Sequence, residues 1–262
     1  QQRCPAMTER DITRLSQKQF SSQALEYSKS QTFTAGADLD IIVSMANDVQ
    51  ANIAVDIGSG AGFTAFAVSP FASTVLSTDL VLPMLQHAIE GAKSRELTNI
   101  APALVSAESL PFANDSIGLL TCRLAAHHFS DVTVGVSEWA RVIEPDGTLI
   151  LVDTVTPENP DVATWMNEVE LQRDPSHSRD LSGQEWIQLL AANGFTVEET
   201  LLTKIPLEFD DWMRRAGASP ETTEAVRSEY LNATGAVTAA FGIQIDEPLR
   251  FFWPCLALKA RT

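Results

Sequence analysis

One stretch, Val55-Asp56-Ile57-Gly58-Ser59-Gly60-Ala61-Gly62, narrows the fold more than any other part of the chain. It closes an apolar run at 53–57 and precedes a helical pattern, so it reads as the turn from a first strand into a first helix. Glycines there let the backbone turn tightly and approach a ligand where a side chain would collide. Asp79 stands 21 residues after Gly58, at the end of the next apolar run. A carboxylate in that place accepts hydrogen bonds from both hydroxyls of a ribose. A dinucleotide fingerprint needs a third glycine where this chain has Phe63. Asp56, just before the glycines, suits an amino group or a sulfonium better than a pyrophosphate.

Further apolar runs at 74–78, 101–105, 117–121, 149–152, 195–204 and 251–258 alternate with amphipathic helical patterns, the mark of a βαβ series. Met84, Leu85, Ala88, Ile89 and Ala92 form one helical stripe. Ser130 or Asp131 caps a helix whose face is Val132, Val136, Trp139, Ala140 and Ile143, and Pro145-Asp146-Gly147 ends it. Another helix starts near Ser182, and Asn193-Gly194 closes it. Residues 1–50 are expected as an N-terminal helical cap, and 51–205 as a Rossmann-like core with an insertion at 155–181. Residues 206–250 are expected as a helical lid insertion and 251–262 as the last core strand. Insertions at loop positions of such a sheet commonly carry substrate contacts.

With 262 residues, 45% of them hydrophobic, the chain can bury a sizeable core. Its 18 basic against 34 acidic residues give a net charge of −16. That balance argues against a broad nucleic-acid or anionic-membrane surface. No apolar run is long enough to span a membrane, and the first residues lack a signal peptide's apolar core, so a cytoplasmic protein is expected. Cys4, Cys122 and Cys255 have neither disulfide-framework nor metal-type spacing, so no metal is expected.

The segments DIGSGAG, STDL, SAESLPF, CRLAAHHF and EPDGTLILVD, in that order, resemble the motifs of class I S-adenosylmethionine-dependent methyltransferases. The resemblance spans roughly residues 20–260 and is nearest to the small-molecule branch called methyltransferase type 11, which includes relatives of the quinone-biosynthesis C-methyltransferases. CRLAAHHF at 122–129 together with RDPSH at 173–177 is similar to a bacterial subgroup of that branch. The resemblance implies an α/β, Rossmann-like sheet of seven strands, six parallel and the last antiparallel, with helices on both faces and a helical lid. It also implies S-adenosylmethionine as cofactor. Asp56, Gly58, Ser59 and Gly60 would hold its methionine part, and Asp79 the ribose. Leu80 would lie against the adenine and Ala107 and Glu108 along its edge, with Met84 in the same binding set and Arg123 beneath the sulfonium. Ser106 departs from the pattern, since many relatives carry an acidic residue there for the adenine amino group. The Asn/Asp-Pro-Pro-Tyr/Phe tetrapeptide of base and glutamine methyltransferases is absent, in keeping with the charge.

Methyl transfer mainly requires alignment, and a base only where the nucleophile must lose a proton. His127 and His128 follow the fourth strand, and His177 lies in an insertion with Asp174 as a possible orienting carboxylate. These three are the candidate bases; the alternative is that one of the His127–His128 pair caps the following helix or contacts backbone while the other faces solvent. His87, next to Ala88 and Ile89, reads as structural. Phe20, Ala24 and Tyr27 share a helical face, which either packs on the core or brings Tyr27 to the cofactor.

Trp165, Met166, Trp212, Met213 and residues 251–253 supply either a flat apolar pocket or plain core. Arg214-Arg215 either attracts an anionic substrate or forms a solvated helix face. The expected activity is transfer of a methyl group to an oxygen or carbon of a small, largely apolar acceptor, aromatic or quinol-like. Two alternatives stand beside it: a non-methylating rearrangement or cyclisation that uses the bound cofactor's charge, and a non-catalytic ligand-binding module.

Overall fold

The computed structural model describes residues 9–29 and 36–262, leaving aside the side chains of residues 9–11, 22 and 25–29. One sheet holds seven strands: β1 (Ala51–Ile57), β2 (Ala72–Asp79), β3 (Ile100–Leu104), β4 (Ile117–Arg123), β5 (Ile143–Thr154), β6 (Thr196–Glu208) and β7 (Arg250–Arg261). Their order is β3-β2-β1-β4-β5-β7-β6. The pairs from β3 through β5 are parallel, and β7 runs antiparallel between β5 and β6. Every expected strand is present.

Ten helices are described: α1 (Glu9–Lys29), α2 (Ala37–Ala46), α3 (Phe63–Val68), α4 (Leu82–Ser94), α5 (Val132–Val142), α6 (Pro160–Arg173), α7 (Gly183–Ala192), α8 (Phe209–Arg215), α9 (Pro220–Leu231) and α10 (Gly235–Phe241). Local chemistry sets their ends. Asp131 caps α5 by accepting from the backbone N–H of Thr133 and Val134, so the cap is the aspartate and not Ser130. Ser182 and Glu185 form a reciprocal capping box at α7. Helix α5 ends three residues before Pro145, and β5 begins at Ile143, earlier than its apolar run suggests, because Ile143 pairs with Ile117.

The central strand β4 is buried on both faces along its whole length, whereas the edge strands β3 and β6 are largely open to solvent. Trp139, Trp186, Leu120 and Leu151 pack on one side of the sheet, and Ile42, Ala65, Val75 and Val152 on the other. The 155–181 insertion contains α6, started by Asn159, which accepts from Asp161 and Val162 N–H. Helix α6 and helices α8–α10 close a second apolar core with the ends of β6 and β7. Trp212, Met213, Phe251 and Trp253 are buried there, with Trp165 packed against them, so most of that aromatic surface is core. Among the described residues, no helix is long and apolar enough to cross a membrane. Cys122 and Cys255 are buried and free; Cys4 lies outside the described residues.

Candidate active site

Strand order reverses between β1 and β4, and at such a point the loops leaving the carboxyl ends diverge and open a crevice. The crevice here is a cleft of about 1090 Å³. Its wall includes Gly58, Ser59, Gly60, Asp79, Leu80, Met84, Ala107, Glu108 and Arg123, nine of the sequence-predicted cofactor residues. Tyr27 has its side chain outside the described residues.

Gly58 has φ +62, and a Cβ on it would stand 2.5 Å from Ala125 Cβ. Gly60 has φ +54, and a Cβ on it would meet nothing within 4 Å, because it faces open cleft. Asp79 accepts from Gly60 N–H at 2.8 Å through Oδ2 and from Val81 N–H at 2.9 Å through Oδ1. Burial raises its carboxyl to about 6 against those bonds.

Asp56 departs from the sequence expectation, since it is not in the cleft wall. Its oxygens accept from Ser59 Oγ at 2.5 Å and Thr121 Oγ1 at 2.8 Å, and Ser77 Oγ donates on to Ser59. Burial pushes its carboxyl up to about 6, and the charge it carries is spent on bracing the glycine loop. Glu108 Oε1 accepts from Ser130 Oγ and Asp131 N–H, which ties the segment after β3 to the start of α5. Arg123 pairs through Nε with buried Asp38. A guanidinium in this wall suits an anionic group better than a sulfonium of like charge. Ser16 also lines the cleft, and its buried hydroxyl has no hydrogen-bond partner among the described residues.

The three candidate histidines converge. Ring centroids are 4.3 Å apart for His127 and His128, 5.8 Å for His127 and His177, and 6.3 Å for His128 and His177. Their chemistry differs. His127 Nδ1 lies 2.6 Å from Asp153 Oδ1. Burial alone would discharge this ring, but the charge and hydrogen bond of Asp153, with Asp180 behind it, hold it up to about 9. At neutral pH His127 therefore already carries its proton and is not the base expected from sequence.

His128 faces the opposite way electrostatically. Burial, and then the charge on His127, pull it down to about 4. Its Nδ1 lies 3.1 Å from the Ser176 carbonyl. A carbonyl only accepts, so Nδ1 carries the ring proton and Nε2 the lone pair. His177 is pushed down to about 2 by burial and by the neighbouring histidines, and its Nε2 meets Asn167 Oδ1 at 3.0 Å. Asp174 does not orient His177: its Oδ1 accepts from Ser176 N–H and Oγ, beneath His128. His87 is 3.7 Å from Glu90 on α4, away from the cleft.

A second cavity, of about 620 Å³, adjoins the first. Phe20, Leu124 and His128 line both. The second is otherwise walled by Ile205, Leu207, Trp212 and Trp253, with Arg173, Arg215 and Glu170 among its polar groups and His127 and Thr154 beside them. Leu124, on the partition, holds φ +51, a left-handed backbone that a leucine adopts at a cost.

Sequence reasoning missed Asp153, Asp180 and Leu124. Asp153 was signalled by its place near the end of the fifth strand, in the ILVD run, where side chains reach the crevice. Asp180, buried and pushed up to about 7, accepts from Thr154 Oγ1 at 2.5 Å across a contact that no local pattern announces. Leu124 carries no sequence mark of its conformation.

A family model described as a methyltransferase domain matches residues 55–151. YcgJ of Bacillus subtilis (strain 168), described as an uncharacterized methyltransferase, is 34% identical over 228 residues, covering 87% of this chain and 90% of its own. The crystal structure of YcgJ superposes with a TM-score of 0.83 at 31% identity, covering 86% of this chain and 98% of that one. YafE of Escherichia coli (strain K12), described as an uncharacterized protein, is 33% identical over 71% of this chain and 89% of its own. A demethylmenaquinone methyltransferase from Corynebacterium kroppenstedtii is 27% identical over 49% of this chain and 53% of its own. Cleft, sheet order and relatives agree, and the chain belongs to the class I S-adenosylmethionine-dependent methyltransferases.

Proposed function

We propose that this methyltransferase methylates an oxygen or carbon of a small, largely apolar acceptor, aromatic or quinol-like, held in the second cavity, with His128 as proton acceptor. One observation carries the reading: His128 walls both cavities, and its Nδ1 bond to Ser176 leaves the lone pair on Nε2.

The first cleft fits S-adenosylmethionine. Open space above Gly60, the buried Ser16 hydroxyl, the Asp79 carboxylate and the Arg123 guanidinium supply room, a hydrogen-bond group, a ribose acceptor and a partner for the methionine carboxylate. Bound there, it would supply a methyl group on a sulfonium that leaves as the neutral thioether S-adenosylhomocysteine.

The residues do the rest. The two cavities, sharing the walls of Phe20, Leu124 and His128, would hold an acceptor beside the methyl donor, and alignment of this kind is worth on the order of 7–11 kcal/mol. An acceptor in the second cavity would supply the electron pair that takes the methyl group, the carbon–sulfur pair being left on the departing thioether. The acceptor's proton passes to His128 Nε2. A ring held near 4 is a weak base, which favours acceptors with acidic protons, phenols and enols above simple alcohols. The charged His127 ring, in the same wall, stabilises negative charge developing on the acceptor. The helices around 155–181 and 206–250 act as the lid that keeps water out.

The test is calorimetric titration with S-adenosylmethionine, S-adenosylhomocysteine and NAD, followed by a phenol and quinol panel in which S-adenosylhomocysteine is measured against methylated product. Binding of the first two ligands and equal yields of both products are expected. Turnover of an acceptor with the methyl donor intact would replace methyl transfer by a rearrangement.

A further inference from the structure

We infer that the acceptor is a planar, conjugated carboxylate whose anionic group is held by Arg215 and Arg173; this deepens, and rests on, the acceptor reading of the second cavity. The adjacent pair Arg214-Arg215 is split by the fold. Arg214 has its side chain 58% exposed, whereas that of Arg215 is 6% exposed and in the wall of the second cavity. Both pair with the same carboxylate, Asp211, itself 42% exposed and outside that wall. A solvated helix face therefore describes Arg214 and not its neighbour.

Arg173, from a different element, reaches the same wall. Its Nε donates to the Trp212 carbonyl at 3.1 Å and its Nη1 to Glu170 Oε2 at 3.2 Å. Its guanidinium carbon lies 4.6 Å from the centre of the Trp212 ring. Glu170 is in turn held by Trp253 Nε1. Two guanidinium groups thus stand in one cavity wall with two indoles, Arg173 held over Trp212 and Arg215 tethered by Asp211. That combination matches a flat anion: the apolar wall of Ile205, Leu207, Trp212 and Trp253 takes the conjugated body and the guanidinium plane takes a carboxylate through paired N–H bonds. It is placed in a chain of net charge −16, whose long-range field would turn anions away, so an anionic acceptor needs cations inside the pocket itself.

The experiment uses the full chain, with and without saturating S-adenosylhomocysteine, titrated with 2-naphthoate, its methyl ester and 2-naphthalenemethanol. Calorimetry and tryptophan fluorescence read the binding. Naphthoate is expected to bind about tenfold or more tighter than either neutral probe, the scale of one charge-assisted hydrogen bond. Arg215→Gln should erase that preference and leave ester affinity as it was. Arg215→Lys should keep part of it, and Arg214→Gln all of it. Retained S-adenosylhomocysteine binding shows that each variant is folded. Equal or tighter binding of the ester, a preference that survives Arg215→Gln, or no naphthoate binding at all overturns the proposal. Failure of S-adenosylhomocysteine to bind the wild-type chain would instead sink the methyl-transfer reading, while the naphthoate arm without it still decides the anion question.

Discussion

Nδ1 of His127 lies 2.6 Å from Oδ1 of Asp153, joining the loop after β4 to the end of β5 by an ion pair in which the carboxylate is fully buried. Burial opposes the charge on this ring, and Asp153 more than repays it, so the ring is held up to about 9 from an ordinary 6.5. A folded value above the unfolded one stabilises fully below pH 6.5, and the stabilisation is lost as pH rises through 9. A rise of that size corresponds to on the order of 3 kcal/mol. Asp153→Asn should therefore lower Tm strongly at pH 6–7, and the gap to wild type should narrow by pH 10. Imidazole ¹⁵N resonances should show the His127 ring charged at pH 7 in wild type and neutral in the variant. A Tm gap that does not change with pH would refute the ion pair.

His128→Ala is expected to lower kcat by ~10²–10⁴, the usual contribution of a positioned base, with S-adenosylmethionine affinity nearly unchanged. The affinity should hold because the contacts proposed for the ribose and methionine parts come from Asp79, the glycine loop and Arg123, not from this ring. His177→Asn should spare kcat far more, since His177 is tied to Asn167 and absent from the walls of both cavities. Equal losses in the two variants would mean that the cluster acts structurally.

The glycine loop and Asp79 were legible because backbone geometry dictates residue type there: φ of +62 and +54 at Gly58 and Gly60 leaves few choices. The central strands were legible for a similar reason, since β4 is buried throughout and its first four residues, Ile117 to Leu120, carry no polar side chain. The role of Asp56 was not. It sits one residue before Ile57 on the same strand, and only the positions of Ser59 and Thr121 decide that its charge turns inward. The histidine cluster was half legible. Residues 127, 128 and 177 stood out by type, but which ring is charged depends on Asp153 and Asp180, brought in from the end of β5 and the 155–181 insertion. Arg214 and Arg215 show the same limit, because one residue of helical rotation separates solvent from pocket.

Asp79→Ala removes the carboxylate that caps Gly60 N–H and Val81 N–H and that would accept from the ribose hydroxyls. S-adenosylmethionine affinity should fall by about 1–3 kcal/mol. Calorimetry at pH 7.5 checks this, well above the value of about 6 to which burial lifts the group. Wild-type affinity in the variant would remove the ribose assignment.

Gly58→Ala and Gly60→Ala separate folding from binding. Both positions have positive φ, so each alanine carries a backbone cost of about 1 kcal/mol. At Gly58 the new methyl also meets Ala125 Cβ at 2.5 Å, a collision with a loop that itself lines the cleft, so stability and binding should fall together. At Gly60 the methyl meets nothing within 4 Å. Its cost to Tm should stay small, while it occupies the space above the loop and weakens S-adenosylmethionine binding at least tenfold. A Gly60→Ala protein with normal affinity would mean that the ligand lies elsewhere in the cleft, away from the glycine loop.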